Sequence, residues 1–163
     1  MKQIWAPWRS VYIGGNHGGK CFFCEKLESD RDEDNLVLLR GNSAFVIMNL
    51  YPYNNGHLLI APNRHTGEIE DLTGEEMMEI FKMTQKMIKA LRSFNPEGFN
   101  VGANVGRVAG AGVPGHFHVH VVPRWSGDTN FMPVLGDVKV VSESLEITYK
   151  KLKEALEKLA EKK

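Results

Sequence analysis

The chain of 163 residues carries 20 Lys and Arg against 20 Asp and Glu, with 42% apolar and 25% charged residues. That length is enough to bury a core within one domain, and a formal charge of zero gives no global field to draw a nucleic acid or an anionic membrane. No apolar run approaches the roughly 18 residues of a membrane span, and the opening MKQIWAPWRSVYIGG has neither the apolar core nor the cleavage site of a secretion signal, so the expected compartment is the cytoplasm, with no nucleic-acid or membrane partner.

In chain order, residues 1–20 are aromatic and then Gly-rich (GGNHGGK) and read as an irregular arm. Cys21-Phe-Phe-Cys24 follows and contains both cysteines of the chain. At this spacing in a reducing compartment they read as metal ligands first, with a buried thiol pair or a redox pair as alternatives. NLVLLR (35–40) and AFVIMN (44–49) predict a strand pair turning at Gly41 and Asn42, YPYNNG a turn, and HLLIAPN a third strand. Thr73 and Glu76 have the spacing of a capping box. Met77, Ile80, Phe81, Met87, Ile88 and Leu91 then recur at helical spacing, with Thr84 interrupting and Met83 on the flank. That pattern predicts a long helix with this stripe against the core, ended by Asn95-Pro96.

GFNVGAN (98–104) alternates as a strand, and the Gly-rich loop GRVAGAGVPG leads into GHFHVH. Beyond Pro123, DTNFMP is a loop and VKVV a short strand or extended connection. Residues 142–163, with Leu145, Tyr149, Leu152, Leu156 and Leu159 on one face, form a last helix. The pattern predicts one α+β domain over 1–163, with a mainly antiparallel sheet of about five strands, a long helix and a C-terminal helix.

On a strand, His116, His118 and His120 share one face, while Phe117, Val119 and Val121 point into a core. Three readings compete: packing histidines, zinc ligands completed from another strand, and nucleophilic catalysis. A neutral imidazole attacks phosphorus well when an acceptor holds its other nitrogen. Gly106, Gly110, Gly112 and Gly115 of the preceding loop let backbone N–H groups approach phosphate oxygens, which favours the third reading.

His116-Phe-His118-Val-His120-Val-Val resembles the signature of the histidine triad (HIT) family. NLYPYNNGHLLIAPNRH is similar to its strand–turn–strand ending in Pro-x-x-His, and GFNVGAN to its strand before the phosphate loop. WAPWR and HVVPRWSGDTNFMP resemble the bacterial diadenosine tetraphosphate phosphorylase or ATP adenylyltransferase branch. The resemblance implies that His118 attacks the α-phosphate of a dinucleoside polyphosphate to form a nucleotidyl-histidine, which water or phosphate then resolves. His120 assists the leaving group. It further implies that Asn104 with Gly112 and Gly115 binds the phosphates, that Asn49 contacts the nucleoside or caps its turn, and that Trp125 stacks on a base or packs. It implies a structural zinc on Cys21, Cys24, His65 and His116, an adenine nucleotide substrate, and a homodimer to which the aromatic arm contributes.

One departure bears on substrate. Many relatives carry Gly-Gln-Ser or Gly-Gln-Thr before the triad, where this chain has Ala111-Gly112-Val113. Without that hydroxyl, a polyphosphate leaving group, which departs as a stabilised anion, is favoured over an amine that needs a positioned acid. A nucleoside phosphoramidase, a nucleotide-binding regulatory module with little turnover, and a zinc hydrolase using the triad as ligands are the alternatives.

Overall fold

The computed structural model describes residues 20–136 and 138–161; the expected arm, apart from Lys20, lies outside them. In chain order the elements are α1 (Phe22–Glu28), β1 (Val37–Arg40), β2 (Ala44–Met48), β3 (Leu58–Pro62), α2 (Gly74–Leu91), β4 (Gly98–Ala103), β5 (Val119–Arg124), α3 (Met132–Leu135) and α4 (Leu145–Glu161). The strands form one antiparallel sheet in the order β1-β2-β3-β5-β4. This is the α+β architecture the sequence predicts. The last strand in the chain lies inside the sheet, so His120 pairs with Leu59 on one side and Gly102 on the other.

AFVIM and LLIAP are buried at every position, because the sheet is covered on both faces. Leu38, Val46, Met48, Leu58, Ile60 and Val121 pack against Ile80, Met87 and Leu91 of α2 and Leu152 of α4. On the other face, Phe45, Ile47, Leu59 and Ala61 pack against Phe23 of α1. Strands buried on two sides lose the polar alternation of a one-sided sheet.

Helix α2 starts on the predicted capping box: Glu76 N–H donates to Thr73 Oγ1 at 3.1 Å and Thr73 N–H to Glu76 Oε2 at 2.9 Å. The expected stripe needs correction. Ile80, Met83, Thr84, Met87 and Leu91 are buried, whereas Met77 and Phe81 are 43% and 66% exposed. Each residue turns a helix by about 100°, so Phe81 rotates off the face that Ile80 and Thr84 share. Thr84 fits the core because its hydroxyl donates to Ile80 O at 2.8 Å, leaving no stranded donor.

The last helix begins at Leu145, later than the expected 142, with Ile147 N–H donating to Ser144 Oγ at 3.3 Å. Tyr149 Oη donates to Val37 O at 3.0 Å and ties this helix to β1. Residues 138–141 form neither helix nor strand. The short helices α1 and α3 were not foreseen. Among the described residues no helix is long and apolar enough to cross a membrane.

Candidate functional site

Strand β5 begins at Val119, so His120 alone of the three histidines sits in the ladder. His116 and His118 lie in the segment entering it. This corrects the reading of all three as strand residues, but the alternation survives. Phe117 joins the helix-side core while its N–H donates to Thr66 O at 2.6 Å. His116 and His118 turn to the opposite face, each with its ring centroid 5.0 Å from that of Phe23.

His118 is buried, and its Nδ1 lies 2.8 Å from His116 O. A carbonyl can only accept, so Nδ1 carries the proton and Nε2 keeps its lone pair. Burial holds this imidazole below the ordinary histidine pKa, against the opposing pull of that hydrogen bond. A neutral imidazole in this tautomer can attack an electrophilic phosphorus through Nε2.

The ring of His120 lies 5.0 Å from that of His118, and its tautomer is set by a histidine just before β3. His57 is 1% exposed. Its Nδ1 accepts from Tyr53 N–H at 3.1 Å and faces Asn49 Nδ2 at 3.2 Å. Nε2 of His57 is therefore the donor, 2.9 Å from His120 Nδ1, which leaves the proton of a neutral His120 on Nε2. Asn49 also accepts from Tyr51 N–H at 2.9 Å, so it caps the turn and reaches the histidine pair. The available signal was the spacing itself: a histidine eight residues after an asparagine, at the mouth of a buried strand.

Asn104 closes over the Gly-rich loop, with Nδ2 3.4 Å from Gly110 O. Within this loop the glycines that need left-handed backbone are Gly106 and Gly110, at φ +80° and +95°. Gly112 and Gly115 have no such requirement. The tight approach is at Gly67, where a Cβ would lie 2.5 Å from Pro114 O, so the segment after His65 packs directly under the loop. A cavity of about 430 Å³ opens beside His120 and Asn104. Trp125 is not brought to it. Its Nε1 donates to Asn95 O at 3.0 Å, and it lines a neighbouring cavity of about 520 Å³ with Phe94 and Val140. Asn54 and Asp128 border both spaces.

The second constellation gathers Cys21, Cys24, His65 and His116, whose ligand atoms all lie within 4.8 Å of one another. Cys21 is the N-cap of α1 and Cys24 sits in its first turn, so the short helix turns both thiols to one side. His116 Nε2 lies 2.8 Å from Pro62 O and must donate. Its Nδ1 lone pair therefore faces Cys21 Sγ at 3.3 Å and Cys24 Sγ at 3.7 Å. His65 Nδ1 lies 3.4 Å from Cys24 Sγ. These separations bracket the roughly 3.5 Å between sulfur and nitrogen ligands of a tetrahedral zinc.

Burial pushes His116 down to about 4, and a neutral ring is the ligating form. Burial and the adjacent Cys21 push the Cys24 thiol up to about 11; a divalent cation inverts that preference and ionises the thiols. His65 is placed by its neighbour Arg64, which pairs with Glu76 at 2.8 Å and so ties the end of β3 to the start of α2. The donor set fits zinc.

A sheet of this order, with a His-x-His-x-His segment entering its inner strand, defines the histidine triad class of nucleotide-handling folds. The HIT domain family description matches residues 30–127, and the chain belongs to that family. Over 157 residues it is 38% identical to a protein named AP-4-A phosphorylase from Mycobacterium tuberculosis, covering 91% of this chain and 80% of the relative. A Zn-bound histidine triad family protein from Mycobacterium smegmatis superposes with a TM-score of 0.73 at 25% identity, covering 88% of this chain and 98% of that one. A hypothetical histidine triad nucleotide-binding protein from Sulfolobus tokodaii does so at 0.71 and 25%, over 87% and 95%.

Proposed function

We propose that this chain is a nucleotidyl hydrolase or transferase acting on the α-phosphate of dinucleoside polyphosphates, with His118 as nucleophile. The observation that carries the reading is the hydrogen bond from His118 Nδ1 to its own segment's carbonyl, which leaves Nε2 as a buried, neutral lone pair beside His120. In the first step Nε2 of His118 bonds to the α-phosphorus as the bond to the bridging oxygen breaks. The electron pair leaves with the nucleoside polyphosphate, and the proton on His120 Nε2 is positioned to meet that oxygen. In the second step water or inorganic phosphate attacks the phosphorus, and the phosphorus–nitrogen bond breaks to restore His118. Backbone N–H groups of the loop from Gly106 to Gly115, with Asn104, serve the phosphate oxygens. Asn49 serves the nucleoside. Trp125 is assigned to base stacking in the neighbouring cavity. The relative named AP-4-A phosphorylase supports the substrate class.

Cys21, Cys24, His65 and His116 would hold a zinc ion, supported by their mutual spacing and by the Zn-bound relative. Zinc, when bound, supplies folding free energy and no chemistry on substrate, because four protein ligands close its coordination. Residues 1–163 are read as one domain with an N-terminal arm, and the compartment as a reducing cytoplasm, which suits two free cysteines. A homodimer is supported by the exposed edge strand β4, with Val101 45% exposed, and by exposed Met77, Met78 and Phe81 on α2.

The deciding experiment is a product assay on diadenosine tetraphosphate with and without inorganic phosphate. ADP formed only with phosphate identifies phosphorolysis, and AMP plus ATP without it identifies hydrolysis. A purified, nucleotide-binding protein that yields neither sinks the catalytic reading in favour of a binding module.

A further inference from the structure

The cavity beside His120 continues along β5 past the chemistry. His120, Val122 and Arg124 alternate onto its wall, and the four-residue step from His120 to Arg124 covers about 13 Å of strand. Arg124 is held at the far end as a fixed fork. Its Nε and Nη2 donate to Asp128 Oδ2 at 2.6 Å and Oδ1 at 3.2 Å, and its Nη1 donates to Asn100 Oδ1 at 2.7 Å. Asp128 is anchored in turn by Asn54 Nδ2 at 2.7 Å and Trp125 N–H at 3.1 Å. Lys139 also lines the cavity and donates to the backbone oxygen of Asp128.

Among the described lining residues there are two cations and one carboxylate, so the far end of the cavity is positive. Arg124 is 49% exposed on its side chain, with three of its five N–H donors engaged; its charge is fixed in orientation, not hidden. A preorganised guanidinium loses little freedom on meeting an anion. The near end already belongs to the α-phosphate in the reading above, on which this inference rests. One phosphate at His118 cannot also reach Arg124, whereas a chain of phosphates leading to a second nucleoside can.

We infer that Arg124 and Lys139 form the subsite for the distal phosphates of the leaving group, and that they set the preference for long polyphosphate substrates over short or uncharged leaving groups. Asp128 is a positioning residue that holds the fork.

The test compares diadenosine tetraphosphate with the p-nitrophenyl ester of AMP, which offers the same α-phosphate and no distal phosphates. For Arg124→Met and for Lys139→Met, kcat/KM on the tetraphosphate should fall about tenfold or more relative to the ester, the scale of one charge-assisted hydrogen bond. An equal loss on both substrates, or no loss on either, overturns the subsite. Lys139→Met removes a charge without stranding a carboxylate, so its ratio decides the matter if Arg124→Met fails to fold. A parent protein that cleaves the ester but not the tetraphosphate overturns the subsite and leaves nucleotidyl transfer at His118 standing. A parent that cleaves neither overturns the underlying reading as well.

Discussion

At the level of single residues, the site is a matter of where protons sit. His118 is oriented by a backbone carbonyl 2.8 Å from Nδ1, an acceptor no side-chain substitution removes. Replacing His118 itself with Ala should lower kcat about 10³-fold or more while nucleotide binding survives, since no neighbouring group can form the covalent intermediate in its place. Single-turnover assays with equilibrium dialysis separate the two effects, and comparable turnover in the variant removes His118 from its role. His57 acts at one remove, through the tautomer of His120. His57→Ala should lower kcat by roughly tenfold to a hundredfold, at or below the bottom of the 10²–10⁴-fold range for a positioned acid, because His57 acts through another residue. His57→Gln should recover part of that loss, because an amide N–H can donate to His120 Nδ1 as the imidazole does. Equal damage from Ala and Gln would mean that His57 only fills space. The triad was legible because period two is visible in GHFHVH. His57 was hinted at only by its eight-residue spacing from Asn49, and its pairing with His120 was not legible, because the two lie 63 residues apart.

Among the elements, α1 is the one whose existence depends most on chemistry. It has seven residues and no side-chain cap, too short to be stable alone in water. It is held by Phe23, fully buried against the sheet, by Arg40, whose Nη1 donates to Leu27 O at 2.8 Å, by Lys26 Nζ donating to Asn35 Oδ1 at 2.9 Å, and by the two thiols facing His65 and His116. Purified protein should carry about one zinc per chain, and Cys24→Ser should lower metal content and melting temperature together, because metal binding free energy is folding free energy. Metal-free protein with an unchanged melting temperature would leave the thiols as packing groups. The C-x-x-C spacing marked the two thiols as candidate ligands in the sequence, but the helix beneath them stayed hidden, since FFCEKLE offers only two turns. The stripe on α2 was misjudged by one position for a related reason. Thr84 looks like a gap in an apolar face until its hydroxyl is seen bonded to Ile80 O, and excluding it rotated the expected face toward Phe81.

For the molecule as a whole, the sheet was readable from its buried strands: unbroken apolar runs in β2 and β3 and an alternating β4 at the edge. The strand order was not, because it places β5, last in the chain, between β3 and β4. An edge strand exposed along most of its length invites pairing with another copy. Sedimentation at micromolar concentration should therefore give twice the chain mass of 18.3 kDa, and Val101→Lys should shift the population toward the monomer. A parent protein that sediments as a monomer would refute the dimer.

The inner position of β5 also governs the order in which the protein is made. β1, β2 and β3 are neighbours in the chain and can zip together by closing short loops, whereas β3 meets β5 only after a long loop is closed. His57 belongs to the early part and His120 to the late one. A refolding chain should regain about half of its sheet signal before its imidazoles share a proton, so competence to react arrives with the last strand, and a nascent chain is chemically silent until β5 has emerged.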